Sequence, residues 1–396
     1  MVSEKMLNLG KKSSIIREIF EYGRKRKAEI GAENVFDFSL GNPSVPAPQK
    51  VTDVMNRLVA ETPADVLHGY TSAPGDINVR TAIAKHISEK FGVKADSGNI
   101  YMTCGAAASL TITLNAIVEK GDNVIAFAPF FPEYRVFVEQ SGAEFVPVSC
   151  KTEDLQIDFD AFEKAINKNT KAVIINSPNN PSGVIVPERD VKKLAEILEN
   201  KQKEYNKEIF LISDEPYREL VFTDEKVAYI PAYYDNSFVC YSYSKALSLP
   251  GERIGYIFVS AAMKDSADVF AAVCGAGRAL GYVCAPSLMQ YTIAECLEDT
   301  ADVSVYEKNR KILYDGLTDI GYTVIKPDGA FYMFVKSPDK NAIDFYERAK
   351  KFELLLVPSD DFGCPGFVRI AYCVDTALIE RSLAAFKALY EDYKNE

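Results

Sequence analysis

From about residue 97 onward the chain alternates short apolar runs with longer amphipathic ones. Asn99–Thr103 reads as a strand, Ala106–Lys120 as a helix closed by Gly121, and Asn123–Ala128 as the next strand. Phe145–Ser149 and Lys171–Asn176 read as further strands, with a helical stretch at 158–167 between them and a long helix over 187–204. Ile209–Ser213, Phe238–Tyr241 and Ile254–Ser260 are short runs rich in Ile, Val, Phe and Tyr. Uniformly apolar strands alternating with helices predict an α/β fold, a mostly parallel sheet covered on both faces. Helical spacing also marks 13–30, where Ile15, Ile16, Ile19 and Phe20 share one side and the charges of Arg24–Lys27 read as a solvated face. The stretch from Phe36 to Pro48 carries so many prolines and glycines that it predicts a rigid loop rather than an element. Beyond a helix at 301–320, strands at 322–325, 331–335, 353–357 and 367–372 mix with helices at 341–351 and 375–393, predicting a smaller α+β layer.

Composition narrows the classes. The chain has 396 residues, 47% hydrophobic and 26% charged, the balance of an ordinary globular protein. A chain this long can bury most of its unfolded surface without disulfide or metal staples. Its net charge of −11 argues against nucleic acid as a partner. No run of 18 apolar residues predicts a membrane span. The opening Met1-Val2-Ser3-Glu4-Lys5 carries an acid and no apolar core, unlike a secretory signal, so a cytoplasmic location is expected. Only His68 and His86 are histidines, which disfavours histidine metal sites and leaves few bases for a catalytic triad. The eight cysteines include no Cys-x-x-Cys and read as buried reduced thiols.

One glycine-rich segment, Gly275-Ala-Gly277-Arg-Ala-Leu-Gly281, has a dinucleotide-like look but the wrong spacing, and 264–274 before it reads as helix where that motif needs a strand. A second segment is more informative: Ser242-Tyr-Ser244-Lys245-Ala-Leu-Ser-Leu-Pro-Gly251-Glu-Arg253-Ile-Gly255-Tyr256. A lysine leaving a buried strand is desolvated, which lowers its pKa and suits imine chemistry. The hydroxyls and arginine beside it suit a phosphate group. Asp214-Glu-Pro-Tyr217 follows the run ending at Ser213, so a carboxylate and a phenol leave the carboxyl end of a strand, the edge where open α/β sheets bind ligands. Ser177-Pro-Asn-Asn180-Pro181-Ser-Gly183 occupies the same position after Asn176; alone it reads as a turn, as Asp214 alone reads as an N-cap.

Taken together and in this order, these motifs resemble the aspartate-aminotransferase-like family of class I/II enzymes that use pyridoxal 5'-phosphate, over about Phe36 to Arg369. The resemblance implies a large domain with a seven-stranded, mostly parallel sheet over 51–300, a small domain over 301–396, and an N-terminal arm with part of the small domain over 1–50. It implies that Lys245 forms the internal aldimine and shuttles the proton, that Asp214 pairs with the pyridinium nitrogen, and that Tyr217 and Asn180 bond the cofactor's phenolic oxygen. Gly105, Ala106 and Ala107 resemble the phosphate-cradling turn at a helix start. Ala107 stands where the family often has a side-chain donor, which leaves more of the phosphate to Ser242, Ser244 and Arg253. Phe131 matches the aromatic that stacks on the ring, with core packing beside Phe130 as the alternative. Arg369 resembles the arginine for the substrate's α-carboxylate, and Gly41 the loop closing over it. Tyr70 resembles the tyrosine that reaches the partner subunit's phosphate, which implies a homodimer with shared sites. Arg278 either meets the distal carboxylate of a dicarboxylic donor or is a helix-end surface residue.

The implied activity is transamination between an L-amino acid, aspartate, glutamate or aromatic, and a 2-oxo acid such as 2-oxoglutarate. Phe130, Phe131, Tyr134 and Tyr70 would accept aromatic donors. A β-lyase acting on sulfur-containing amino acids is the alternative on the same scaffold, since function lives in the site. A regulator that kept the fold without activity is disfavoured by the complete set Asn180, Asp214, Tyr217, Lys245, Arg253 and Arg369.

Overall fold

The computed structural model describes residues 2–11, 14–339 and 341–394. Its centre is a seven-stranded sheet of β1 (Ile100–Thr103), β2 (Asn123–Phe127), β3 (Glu144–Val148), β4 (Thr170–Asn176), β5 (Phe210–Glu215), β6 (Ser237–Ser242) and β7 (Gly255–Val259). The spatial order is β1-β7-β6-β5-β4-β2-β3. Only β7 runs antiparallel to its neighbours β1 and β6; the other pairs are parallel. Helices Ala106–Ile117 and Ser266–Leu280 pack with one apolar cluster of the sheet, and Glu188–Tyr205 with another. Every residue of β5 and β6 is buried, which is why their sequences lack alternation.

The second sheet has β8 (Val324–Ile325), β9 (Tyr332–Lys336), β10 (Val357–Pro358) and β11 (Phe367–Ala371), all antiparallel in the order β10-β11-β9-β8. Helices Ser304–Ile320, Ala342–Ala349 and Thr376–Lys394 cover it. Its core takes in Phe38 and Val45 from the N-terminal segment and Tyr217, Leu220 and Phe222 from beyond β5, so the two layers are packed together just past the β5 end.

Two expectations are corrected. The segment at 36–48 does contribute an element: Phe36–Asp37 pairs in parallel with Leu354–Leu355. The strand expected at 353–357 is accordingly split, because Leu354–Leu355 serves that ladder while Val357–Pro358 pairs with β11. Local composition favours a loop there, and the partner strand overrides it with main-chain bonds, Phe36 N–H to Glu353 O at 2.9 Å and Phe38 N–H to Leu355 O at 3.1 Å. Of the helix expected at 13–30, Ile15–Ile30 is formed, while Ser13 lies outside the described residues. Helices Glu4–Lys11, Gln49–Glu61, Ile77–Phe91, Glu133–Ser141 and Ser287–Ala294 were not expected. The glycine-rich segment lies within helix Ser266–Leu280, and Gly277 is there because a β-carbon would collide with the Tyr101 hydroxyl.

Candidate active site

Parallel pairing sets the carboxyl ends of three strands side by side. Asn176 is level with Asp214, and Asp214 with Cys240, two residues before Ser242. The segments that leave these ends, 177–183, 216–220 and 243–254, make one wall of a cleft of about 290 Å³. The cleft is lined by Gly41, Ala106, Ala107, Phe131, Asn180, Asp214, Tyr217, Ser242, Ser244, Lys245, Arg253 and Arg369. Twelve residues expected from separate motifs therefore face one space.

Asp214 and Glu215 are consecutive, so the strand pleat turns them to opposite faces. Glu215 is neutralised on its side by an ion pair with the buried Arg218 and accepts from Ser213 Oγ at 2.7 Å. No cation among the described residues pairs with Asp214. Its Oδ2 accepts from the Tyr134 hydroxyl at 2.5 Å, while its Oδ1 is buried without a hydrogen-bond partner. Burial pushes the Asp214 carboxyl up to about 7. Asn176 fixes the strand end, giving its Nδ2 to Asp214 O at 2.8 Å and accepting Asn180 N–H at 2.7 Å.

Lys245 sits on a short helix, Tyr243–Ala246, capped by Ser242, whose Oγ takes the Ser244 N–H at 3.3 Å. Burial, with Arg253 and Arg369 adding repulsion, lowers the Lys245 amine to about 8. Its Nζ donates to Gly41 O at 2.7 Å. Beside it lies an anion cup. Helix Ala106–Ile117 opens at Gly105 with no side-chain cap, so its first N–H groups and its dipole face the cleft. Gly105 has φ +89°, and a β-carbon there would approach Arg253 Nη2 to 2.8 Å. Arg253 itself holds φ +53° and bonds Pro250 O at 3.0 Å and Cys104 O at 3.2 Å, which aims the guanidinium at the helix start. Ser242 and Ser244 pair through their hydroxyls at 2.8 Å.

The opposite wall comes from the second sheet and the N-terminal segment. Arg369, 2% exposed, bonds Ser39 O at 2.6 Å and Asn180 Oδ1 at 3.2 Å, and its Nε has no partner. No carboxylate pairs with it among the described residues. The rings of Tyr332 and Phe362 lie 4.6 and 5.3 Å from its guanidinium carbon. A buried cation without an anion is costly, and this one lines the cleft.

Gly105 stands behind the lining as the cap of helix Ala106–Ile117, and two expected residues lie away from the cleft. Tyr70 is 98% exposed, and Arg278 is exposed in the last turn of helix Ser266–Leu280. Four participants were missed as parts of the site: Ser39, Asn176, Tyr332 and, as the partner of Asp214, Tyr134. Tyr134 lies in the first turn of helix Glu133–Ser141, edge-on to Phe131 at 5.7 Å just before it, so the Phe131 segment marks it; Tyr332 has no such local signal. Among the described residues no cluster could hold a metal, no helix is long and apolar enough to cross a membrane, and all eight cysteines are free.

Residues 33–386 match the family described as aminotransferase class I and II. The chain is 54% identical to an amino transferase from Eubacterium rectale whose crystal structure covers 99% of both chains with a TM-score of 0.98. It is 29% identical to a probable aspartate aminotransferase of Methanocaldococcus jannaschii, over 99% of this chain and all of that one. It is 23% identical to an aromatic-amino-acid aminotransferase of Thermococcus litoralis, over 96% of each.

Proposed function

The chain belongs to the class I and II aminotransferases, and from that premise we propose that it binds pyridoxal 5'-phosphate and transfers the amino group of an L-amino acid, aspartate, glutamate or aromatic, to a 2-oxo acid such as 2-oxoglutarate. The observation that carries this reading is that one cleft joins a lysine lowered to about 8 with a buried arginine that no carboxylate among the described residues meets. The residues present fit the cofactor. The orphaned Oδ1 of Asp214 suits a protonated ring nitrogen, and the start of helix Ala106–Ile117 with Arg253, Ser242 and Ser244 suits a phosphate. Bound there, pyridoxal phosphate supplies an aldehyde for an amine and an electron-accepting ring.

The protein's own groups then have distinct tasks. Asp214 would hold the proton on the ring nitrogen, with Tyr134 bonded to its other oxygen. Tyr217 and Asn180 would hold the cofactor's phenolic oxygen, and Phe131 would pack on its ring. Arg369 would take the substrate's α-carboxylate as a fork in the same cleft as Lys245. Lys245 Nζ would be the amine that holds the group and the base that moves the substrate's α-proton. In the cofactor-free chain Gly41 O accepts from the Lys245 amine.

The proposed assembly is a cytoplasmic homodimer, a location supported by the eight free thiols. Tyr70, Val66, Tyr282 and Val283 are exposed apolar residues that a second copy would cover, with Tyr70 reaching the partner's phosphate cup and Arg278 the distal carboxylate of its substrate. The test is a panel of amino donors with 2-oxoglutarate, following glutamate and the new 2-oxo acid. Transfer from at least one acidic or aromatic donor is expected. Release of pyruvate and ammonia without any acceptor, and no transfer, would overturn the reading.

A further inference from the structure

Tyr332 stands at the meeting point of three parts of the site. It lies on β9, far in sequence from the lysine segment, and its side chain lines the cleft. Its hydroxyl is 3.0 Å from that of Tyr217. Its ring face lies against the Arg369 guanidinium at 4.6 Å. A β-carbon at Gly41, whose carbonyl holds Lys245, would strike its hydroxyl. Both phenols are buried and held protonated, so each has one proton to give. If Tyr217 gives its proton to a ligand oxygen in the cleft, its own oxygen is left to accept, and Tyr332 is the donor in reach.

We propose that Tyr332 is a positioning residue with two separable parts: its hydroxyl donates to Tyr217 and directs the Tyr217 proton at the cofactor's phenolic oxygen, while its ring holds the Arg369 fork in the plane that receives the α-carboxylate. This rests on the function proposed above and adds a residue to it. The ionisable groups facing this corner are Lys245, Arg369, Cys373, Arg253, Asp214 and Tyr217, and none of them replaces a phenol donor to Tyr217.

The two parts predict different losses in the holoenzyme. Electron density drawn off the phenolic oxygen by a donor lowers the basicity of the nitrogen bound to Lys245, so weakening that donor raises it. Tyr332→Phe keeps the ring and loses the donor. The pH midpoint of its visible absorption change should rise by about half to one unit, the size of one neutral hydrogen bond, while KM for the amino donor stays within about two-fold. Tyr217→Phe should raise the same midpoint further. Tyr332→Leu, which also removes the ring face, should in addition raise KM for the amino donor by roughly ten-fold. A Tyr332→Phe midpoint equal to that of the unsubstituted protein, with or without a lower Tm, overturns the donor part. A Tyr332→Leu KM equal to that of Tyr332→Phe overturns the ring part. If the unsubstituted protein takes up pyridoxal phosphate with no visible band that titrates, the parent reading fails first.

Discussion

Two buried arginines lie on opposite sides of β5 and are treated in opposite ways. Arg218 is closed off: its Nε meets Glu215, its other nitrogens reach the carbonyls of Val227 and Ala228, and the rings of Phe91 and Tyr229 flank it. Arg369 has carbonyl oxygens of Ser39 and the Asn180 side chain, no carboxylate, and a free Nε. The neighbouring acids repeat the contrast, Glu215 neutralised and Asp214 with an empty oxygen. At Arg218 the chain supplies the counter-charge itself. At Arg369 no carboxylate among the described residues does so, and in the cleft it shares with Lys245 and Asp214 the desolvation shows in the lowered Lys245 and raised Asp214.

The largest effect should come from Lys245, the centre of the open side. Lys245→Ala should lower kcat by at least about 10³-fold, because one side chain serves as both covalent anchor and base. Borohydride should fix the cofactor of the unsubstituted protein to a single peptide containing Lys245, as mass spectrometry of the digest would reveal. Label on any other lysine would displace it.

The two arginines should then separate cleanly. Arg369→Ala should reduce kcat/KM by roughly 10²–10³-fold, the loss of a bidentate charged contact, with a modest change in Tm. Arg218→Ala should instead cost about 3–5 kcal/mol in urea unfolding by leaving Glu215 buried and unpaired. Similar activity losses in the two folded variants would erase the distinction.

Asp214 offers a pH test without turnover. Its carboxyl is raised from 3.8 to about 7 in the folded chain, so folding favours the protonated form. Below the unfolded value no stability is lost; the cost grows as pH rises from 3.8 and is complete above about 7. In the cofactor-free protein, Asp214→Asn should therefore gain on the unsubstituted chain between pH 4 and 7, measured as a difference in unfolding free energy. Added pyridoxal phosphate should reverse the order at pH 8 by stabilising the carboxylate form. A flat difference would mean that Asp214 titrates normally.

The smallest effect belongs to Tyr134→Phe, which removes one neutral donor from Asp214 and leaves the ring packed. A loss of about 1 kcal/mol in stability, and a slower half-reaction by roughly ten-fold at most, is expected from stopped-flow absorbance.

What was legible in the chain follows from how local each feature is. Ser242, Ser244, Lys245, Arg253 and Gly255 lie within fourteen positions of one another, and the turn from β6 to β7 places all of them at one sheet end, so their chemistry could be read directly. The β5 end gave up Asp214 and Tyr217 in the same way. Tyr332, Ser39 and Asn176 carry no such signature, because what makes each matter is a partner on another segment: Tyr217 for Tyr332, Arg369 for Ser39, Asp214 for Asn176. The short ladder between Phe36–Asp37 and Leu354–Leu355 was missed for the same reason.

By itself the sequence determined which strands would be buried on both faces, since runs such as Phe210–Ser213 and Phe238–Cys240 have no polar side to expose, and which strand ends carry chemistry. Only the tertiary structure decided which charges stay uncompensated. Asp214 and Glu215 are adjacent acids, and nothing local distinguishes them. The pleat sends one to Arg218 and the other to a cleft with Tyr134 alone, and the packing of β11 against the N-terminal segment leaves Arg369 above it with carbonyls in place of a carboxylate. Coulomb energies in a buried site depend on distances of a few ångströms between segments hundreds of residues apart, and those distances exist only once the sheets have packed.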